Sequence, residues 1–283
     1  MPTSPRENRR DVRTKLKYYD DPGDGTLPLP VIVKRLTVLN SNTVTNERPY
    51  IEVDVTIKDV AGCEAEFNLD DHGFCFVRHN SSEKQFLDKT SIENVYFAEV
   101  QQLVKKITGA SRVVLFDHKV RRGPSDWHKL GKNNRLNAGP LHRVHVDQSY
   151  AGAELALRQH LPDEADDLLR QRYQIINIWR PIQTIFKDPI AVADASSVSD
   201  DDLVAASVIK PTSVAETWTV RPNPDHRWFY KGAQQPDEVL LIKCFDSDTS
   251  VARRAPHSAF RDAAYDGGED RQSIEVRVLV IYE

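Results

Sequence analysis

The sequence predicts a mostly β protein, with a β-sandwich or barrel core and a few helices on its flanks. Short apolar or alternating runs recur along the chain with turn residues between them, as in all-β folds. Helical spacing occurs in only a few segments, and these do not alternate strictly with strands as they do in α/β folds. The chain has 283 residues, 40% of them hydrophobic and 28% charged, which is typical of a globular protein.

The first half of the chain begins with a polar segment and continues with strand and helix patterns. Residues 1–28 have no period, so we expect an N-terminal arm that docks on the fold or stays mobile, followed by a single domain over residues 29–283. Alternation of apolar and polar side chains predicts strands, and apolar spacing of three and four predicts a helix. These elements are a strand at 31–39, a strand at 50–57, a helix at 94–107 and a strand at 112–116.

The second half contains more predicted strands than helices. Residues 143–147 alternate like a short strand, and Pro162 followed by acidic residues marks the start of a helix. The polar segment at residues 121–139 predicts a long loop, either of the kind that borders a functional site or an inert one. The predicted helices are 152–160 and 162–172, and the further predicted strands are 175–179, 217–220, 228–230, 239–245 and 274–282.

Charge and composition argue against several classes of protein. Lys and Arg number 38 and Asp and Glu 42, which gives a net charge of −4, whereas nucleic-acid-binding proteins usually carry a basic surplus. No apolar run approaches the roughly 18 residues of a membrane helix, and the N-terminus lacks the apolar stretch of a secretory signal. The three cysteines have no metal-binding spacing. We therefore expect a cytoplasmic protein with neither a nucleic-acid nor a membrane partner.

The sharpest candidate for chemistry is the tripeptide His145-Val146-Asp147. On a strand, residues i and i+2 project from the same face, so the imidazole and the carboxylate can meet at one cation. Two histidines and one carboxylate on one face of an octahedron are the usual ligands of non-haem Fe(II). His257 is the best candidate for the third ligand, and His226 is its rival. Such a tripeptide is also common by chance, and the histidine then packs or pairs locally.

A candidate carboxylate clamp lies shortly after His257. Arg271 and Ser273 share a strand face by the same period of two, and a guanidinium with a hydroxyl is well suited to one carboxylate. Beside an iron ion with open coordination positions, these groups would bind the distal carboxylate of 2-oxoglutarate. The alternative is that Arg271 pairs with Glu269 or Asp270 at the surface.

The order of these motifs resembles that of the Fe(II)/2-oxoglutarate-dependent dioxygenases with a double-stranded β-helix, or jelly-roll, fold. More specifically, it is similar to the hydroxylase/desaturase family of microbial secondary metabolism. That family includes AsaB-type proteins, gibberellin-desaturase-like fungal proteins and a cephalosporin 7α-methoxylase component. The phrases that carry the resemblance are DHGF at 71–74, VHVDQS at 144–149, NIWRP at 177–181, FDSD at 245–248, PHSAF at 256–260 and RQSIEVR at 271–277.

The resemblance implies a jelly-roll, cupin-like core with helical insertions over residues 29–283. It implies an oxidoreductase that requires Fe(II), with 2-oxoglutarate and O₂ as cosubstrates. The expected reaction is hydroxylation, desaturation or oxidative cyclisation of a small molecule, and no catalytic residue is expected beyond the metal ligands. The implied site residues are His145, Asp147 and His257 as iron ligands, with Arg271 and Ser273 as the cosubstrate clamp.

Four further residues are candidates for the site. Asn177 lies among apolar neighbours, so it would be hydrogen-bonded if buried, either to 2-oxoglutarate or to the backbone. Trp179, Arg180 and Arg122 are candidate substrate contacts; the alternatives are a core position for Trp179 and a local ion pair for Arg180. The loop at 121–139 suits an acidic substrate because it is basic. Its cations are Arg121, Arg122, Lys129 and Lys132.

Two other functions remain open on the sequence alone. A zinc hydrolase uses the same kind of ligand set with a bound water, but it needs no cosubstrate clamp, so Arg271 and Ser273 count against it. A jelly-roll binding protein or accessory subunit without turnover is the second alternative, and the complete set of motifs counts against it. Metal analysis followed by detection of succinate separates all three functions.

Overall fold

The computed structural model describes residues 9–36, 41–44, 48–130 and 138–283, and the strands within these ranges form a ten-stranded and a five-stranded sheet. The strands are β1 (Val12–Tyr19), β2 (Val31–Leu36), β3 (Ser41–Val44), β4 (Tyr50–Asp59), β5 (Phe74–Arg78), β6 (Arg112–Arg121), β7 (His145–Val146), β8 (Tyr173–Pro181), β9 (Ile190–Ala193), β10 (Leu203–Ile209), β11 (Val214–Val220), β12 (Trp228–Tyr230), β13 (Glu238–Asp246), β14 (His257–Ala259) and β15 (Ser273–Ile281). The larger sheet has the order β1-β4-β12-β9-β14-β7-β11-β10-β2-β3, and the smaller has the order β5-β13-β8-β15-β6.

The two sheets pack against each other through an apolar cluster. Phe74, Trp179 and Leu240 of the smaller sheet meet Val192 of the larger sheet in this cluster. Most neighbouring strands are antiparallel, and the parallel pairs are β2 with β10 and β4 with β12. Two packed, mostly antiparallel sheets are the layer arrangement of a jelly roll, and the prediction of a mostly β fold is confirmed.

The helices lie on the outside and at one end of the sheets. They are α1 (Lys89–Ser91), α2 (Phe97–Thr108), α3 (Tyr150–His160) and α4 (Ala165–Leu168), and a π-helical turn at Ile92–Tyr96 joins α1 to α2. The amphipathic α2 buries Val100 and Val104 against the smaller sheet and ends at Gly109, whose φ of 71° is the left-handed conformation of a helix stop. The helix predicted at 162–172 is reduced to the four residues of α4. Among the described residues, none of the helices combines the length and apolar character needed to cross a membrane.

The inner face of the smaller sheet changes from apolar to polar at its middle. In β8, Ile175, Asn177 and Trp179 share one face by the period of two residues. Ile175 belongs to an apolar cluster that includes Leu157 of α3, and Trp179 belongs to the cluster between the sheets. Asn177, which is fully buried, lies between them in the strand. Its register partner on β15 is Arg277, so a polar layer crosses the core at this level.

The segment predicted as an N-terminal arm contains a strand. Val12–Tyr19 is a strand that pairs antiparallel with β4 along its whole length, so the larger sheet includes it. Leu16 and Tyr18 are buried, whereas the intervening side chains are charged or polar and partly or fully exposed. This alternation has too few apolar residues to be distinguished from a polar segment in the sequence. Residues 1–8 of the predicted arm and residues 37–39 of a predicted strand lie outside the described ranges.

Candidate active site

Strand pairing brings His145 and His257 together. β7 is only two residues long and lies between β11 and β14 in the larger sheet. His145 and His257 are direct partners in the antiparallel register of β7 and β14. Such partners project to the same side, and the two ring centroids lie 4.5 Å apart. Asp147, two residues after His145, completes a group whose ligand atoms all lie within 4.8 Å of one another.

Backbone carbonyls orient both imidazoles. His145 Nδ1 lies 2.8 Å from the carbonyl oxygen of Arg143, and His257 Nδ1 lies 3.2 Å from that of Ala255. Because a carbonyl oxygen only accepts, Nδ1 carries the proton of each neutral ring and Nε2 keeps its lone pair. The two Nε2 atoms lie 3.7 and 3.6 Å from the carboxylate oxygens of Asp147. His257 Nε2 is buried and has no hydrogen-bond partner among the described residues, which suits a nitrogen that binds a metal ion.

Two donors from the smaller sheet hold the Asp147 carboxylate. Arg277 Nη2 donates to Asp147 Oδ1 over 2.7 Å, and Asn177 Nδ2 donates to Oδ2. Arg277 also donates to Glu275 and Asp117, over 3.0 and 3.1 Å, so three carboxylates fix its guanidinium. The other amide atom of Asn177, Oδ1, is buried and has no partner within the described part of the chain. Asn177 therefore contacts a carboxylate of the site, and its oxygen remains able to accept a further hydrogen bond.

The protonation states in this group favour a bound cation. Burial, and then the charge of the neighbouring His257, lower the pKa of His145 to about 4. Burial raises the pKa of Asp147, but Arg277 and the two histidines outweigh it and hold that pKa well below its ordinary value. At neutral pH, His145 is thus neutral and Asp147 is ionised, as metal binding requires. Burial lowers the pKa of His257, but Asp147 outweighs it and raises that pKa, so a cation competes with a proton at this ring. Two imidazoles and one carboxylate that meet from one side fit Fe(II) with open coordination positions.

Arg271 and Ser273 are buried with unused hydrogen-bonding capacity. Arg271 Nε and Ser273 Oγ have no partner in the described ranges. Arg271 Nη1 donates to the backbone carbonyl of Asp188 over 2.8 Å, and its guanidinium carbon lies 5.5 Å from the centre of the Trp179 ring. Burial, and then the charge of Arg121, lowers the pKa of Arg271 to about 9. A buried guanidinium and hydroxyl with unsatisfied donors fit the carboxylate of a ligand.

Asp188 joins three segments around Arg271. Its Oδ1 lies 3.0 Å from His142 Nε2, its Oδ2 accepts a hydrogen bond from Ser125, and its carbonyl accepts from Arg271. Its φ of 52° is left-handed, a conformation that costs free energy for a residue other than glycine. The surrounding contacts therefore hold a strained residue in place next to Arg271. Sequence reasoning did not select Asp188, because its contacts come from segments that are distant along the chain.

A cleft of about 1140 Å³ opens onto His145, Asp147 and Arg277. Its wall includes Arg121 and residues 125–129 of the predicted basic loop. The two ends of this loop are joined by hydrogen bonds, among them one from Arg121 Nη1 to the carbonyl of Gly139 over 2.9 Å. Lys132, which was predicted to add to the basic character, lies outside the described ranges.

Arg180 does not face the cleft, so the prediction that it contacts the substrate is wrong. It follows Trp179 in β8, so it projects from the opposite face of the strand. Its guanidinium donates to the Tyr96 hydroxyl over 3.0 Å and to the carbonyls of His79 and Pro236 over 2.8 and 2.7 Å. These bonds give Arg180 a structural role between the smaller sheet and the helical layer. Trp179 is 1% exposed and packs between the sheets beside Arg271, which is the core position named as its alternative.

Arg122 also differs from the prediction of a substrate contact. Its guanidinium donates to the Gln272 side chain and to the carbonyl of Gln85, away from the metal-ligand group. The neighbouring Arg121 lines the cleft instead, and it is the register partner of Ser273. The loop thus supplies a cation to the cleft, but this cation is Arg121 and not the predicted Arg122.

Neither ring nitrogen of His226 is directed to the metal-ligand group. His226, the rival of His257, has Nε2 3.1 Å from the Asp202 carboxylate and Nδ1 3.1 Å from the Tyr18 hydroxyl, so both its nitrogens are engaged away from the metal-ligand group.

Arg277, which binds Asp147, was not selected as a site residue. The signal that could have found it is the continuation of the period of two from Arg271 along the same strand face.

Comparisons with known proteins agree on one family. Residues 16–281 match a family model described as an oxidoreductase/YMDC permease-like domain. The chain is 36% identical to the hydroxylase/desaturase efuI of Hormonema carpetanum, with 96% of this chain and 95% of that protein covered. It is 30% identical to the alpha-ketoglutarate-dependent dioxygenase phiK of a fungal species, with both chains covered completely. The solved structure of the iron and alpha-ketoglutarate-dependent endoperoxidase NvfI superimposes with a TM-score of 0.81 at 26% identity, over 96% of this chain and 98% of that chain.

These matches confirm the jelly-roll prediction and the prediction of an oxidoreductase. The protein is an enzyme that uses Fe(II), 2-oxoglutarate and O₂ and acts on a small molecule of secondary metabolism. The hydrolase and the non-catalytic alternatives have no support from these relatives. The chain belongs to the hydroxylase/desaturase family of Fe(II)- and 2-oxoglutarate-dependent dioxygenases.

Proposed function

We propose that His145, Asp147 and His257 hold the iron of this dioxygenase and that Arg271, assisted by Ser273, binds the distal carboxylate of 2-oxoglutarate. The observation that carries the proposal is the convergence of two Nε2 lone pairs and one ionised carboxylate, all within 4.8 Å. The proposed clamp is supported by its buried donors, which lack partners in the described part of the chain. A ligand carboxylate would satisfy these donors and offset the buried charge of Arg271.

The remaining residues of the site act on these two groups. Arg277 and Asn177 each bind one oxygen of Asp147, so the carboxylate is held towards the two Nε2 atoms. The carbonyls of Arg143 and Ala255 keep the Nδ1 protons in place, so Nε2 is the atom of each ring that would bind the cation. The chemistry that iron and 2-oxoglutarate supply together is the reduction of O₂, coupled to conversion of 2-oxoglutarate to succinate and CO₂, which oxidises the substrate.

The substrate is proposed to enter the cleft of about 1140 Å³ that opens onto the metal ligands. A cleft of this size accommodates a drug-sized organic molecule. We infer hydroxylation, desaturation or oxidative cyclisation as the outcome, because the relatives carry the names hydroxylase, desaturase and endoperoxidase. We also infer a cytoplasmic location, which is supported by the free thiols of Cys63, Cys75 and Cys244.

Iron content and succinate formation test the assignment of the ligands. Anaerobic reconstitution should give about one Fe(II) per chain, and addition of 2-oxoglutarate and O₂ should release succinate. His257→Ala should lose the iron, whereas His226→Ala should keep it, because the nitrogens of His226 bind Asp202 and Tyr18. Full iron content in His257→Ala, together with loss of iron in His226→Ala, would show that the third ligand is wrong.

A further inference from the structure

The cleft beside the metal ligands is basic, although the whole chain has a net charge of −4. Among the residues that the structure describes, eight Lys and Arg residues line it, against four Asp and Glu residues. Three of these acids are already bonded: Asp117 and Asp147 to Arg277, and Glu216 to a serine hydroxyl. The cations are Lys17, Arg48, Lys119, Arg121, Lys129, Arg143, Lys210 and Arg277. The cleft is therefore suited to a negatively charged ligand.

Three of the cations, Lys17, Arg48 and Arg143, form a basic cluster around Tyr50. The Arg143 guanidinium carbon lies 3.7 Å from the centre of the Tyr50 ring, and Lys17 Nζ lies 4.6 Å from it. Arg48 donates to two backbone carbonyls, over 2.8 and 2.7 Å. Within the described ranges, no carboxylate forms an ion pair with Lys17 or Arg48. Lys17 and Arg48 thus offer charge-assisted donors to the cleft.

Bringing these cations together costs free energy that an anion would recover. Burial, and then the charge of Arg143, lowers the pKa of Arg48 to about 10. This shift means that the charged form of Arg48 is less favourable here than in water, because its solvation is reduced and a like charge is close. An anion bound beside Arg48 would reverse both effects.

The basic cluster is separate from the proposed cosubstrate clamp. Lys17 belongs to β1, and Arg143 precedes β7, so both are carried by the larger sheet. Arg271, in contrast, directly precedes β15 of the smaller sheet and is buried beside Trp179. Arg143 is two residues from His145, a separation of roughly 7 Å along an extended chain. A group bound by the cluster therefore lies within one small molecule's length of the proposed iron ligands.

We propose that the basic cluster binds a carboxylate of the substrate, and hence that this dioxygenase oxidises an organic acid. This inference rests on the proposed function, since it places the substrate in the cleft beside the proposed iron ligands. The Tyr50 ring, 38% exposed, adds an apolar surface next to the bound carboxylate. The remainder of the substrate then extends towards His145 and Asp147.

The test compares probes that differ only by a charge. The protein is loaded with Fe(II) and saturating 2-oxoglutarate without O₂, so that the cosubstrate site is filled. Binding of 1-pyrenebutyrate and dodecanoate is then measured against their primary amides, by fluorescence and by calorimetry. We expect each carboxylate to bind at least about tenfold more tightly than its amide, which is the effect of roughly one charge-assisted hydrogen bond. This ratio of the amide dissociation constant to the carboxylate dissociation constant should fall as salt is added.

Substitutions in the cluster locate the effect. Arg48→Gln and Arg143→Gln should reduce the ratio to below about threefold, whereas Arg48→Lys should retain it because the charge remains. Lys84→Gln is the matched control, since it removes one charge from an exposed residue outside the cleft. Lys17→Gln is a further variant in case an arginine substitution prevents folding. The proposal is overturned if neither carboxylate binds more tightly than its amide, or if Lys84→Gln lowers the ratio as much as the cluster variants do.

Failure of this inference is distinguishable from failure of the proposed function. Iron content and 2-oxoglutarate binding are measured on the same samples before any probe is added. If the wild-type protein binds neither, the proposed ligand assignments are wrong. If it binds both and shows no preference for the carboxylate probes, only the assignment of the basic cluster is wrong.

Discussion

Replacing Arg271 by methionine separates ligand binding from folding, because the chain provides a matched control in Arg180. Both arginines are buried, at 4% and 2% exposure. Arg271 donates to one carbonyl and leaves Nε without a partner in the described ranges. Arg180 donates to a tyrosine hydroxyl and to two backbone carbonyls. Arg271 thus has the unused donor of a ligand-binding residue, whereas the bonds of Arg180 are those of a structural residue.

The two substitutions should differ in their effect on the stability of the ligand-free protein. Arg180→Met leaves several buried acceptors unpaired, each at about 1–3 kcal/mol, so we expect the free energy of unfolding to fall by about 3 kcal/mol or more. Arg271→Met loses one hydrogen bond but also removes a buried charge whose pKa is lowered to about 9. Because these terms oppose each other, the ligand-free protein should stay within about 1 kcal/mol of the wild type.

For 2-oxoglutarate binding, Arg271→Met should have the large effect and Arg180→Met almost none. Removing one partner of a desolvated charge pair typically costs about 2–5 kcal/mol, and even 2 kcal/mol corresponds to about 30-fold in the dissociation constant. We expect at least about a tenfold rise for Arg271→Met, since Ser273 and the iron remain. At 100 times the wild-type dissociation constant, 2-oxoglutarate stabilises the wild type by about 2.7 kcal/mol, and a variant weakened 30-fold by only about 0.9 kcal/mol. Arg180→Met should bind like the wild type.

Calorimetric titration of the Fe(II)-loaded proteins without O₂, and thermal unfolding with and without 2-oxoglutarate, measure these quantities. An unchanged dissociation constant in Arg271→Met would refute the clamp. Equal destabilisation by the two substitutions would show that Arg271, like Arg180, is a structural residue.

Further predictions concern the residues around the clamp and the thiols. Asp188→Ala should raise the 2-oxoglutarate dissociation constant by less than Arg271→Met does, because it loosens the neighbouring backbone without removing the cation; an equal or larger rise in the same titration would contradict this. Arg121→Gln should raise that constant, whereas Arg122→Gln should leave it unchanged, because only Arg121 lines the cleft. Alkylation of the native protein at pH 8, followed by mass spectrometry, should label Cys63 alone. Burial raises the pKa of the other two thiols, in one case to about 12, and labelling of either in the native protein would count against their burial.

Local patterns in the sequence were sufficient for the long strands of the smaller sheet and for the spacing of the candidate ligands. The runs that became β8, β13 and β15 are mostly apolar, because both faces of these strands are covered. The placement of His145 and Asp147 on one side also follows from a local rule. The meeting of His145 with His257 depends on the pairing of β7 with β14, strands of two and three residues that are too short to give a periodic signal. The sequence therefore named His257 only as the better of two candidates, with His226 as its rival, and the resemblance to a family supported that choice.

The error at Arg122 has a specific structural cause. Val114 and Phe116 face the apolar cluster beside α3, and a strict period of two would continue this face to Arg122. In the structure, Phe116 has no partner of its own on β15, because Leu115 and Asp117 pair with consecutive residues of that strand. This irregularity is a β-bulge, and it shifts the later part of β6 by one residue. A bulge is set by the partner strand, so the sequence of β6 alone does not reveal it.

The same bulge is what assembles the support of the metal-ligand group. Beyond it, Arg121 pairs with Ser273, and Asp117 pairs with Arg277. Asp117 can therefore accept from Arg277 Nη1, while Nη2 of the same guanidinium holds Asp147. Without the extra residue, the register of β6 would place an apolar or differently charged side chain opposite Arg277. One inserted residue thus accounts both for the cation that reaches the cleft and for the carboxylate that fixes Arg277 behind the candidate iron site.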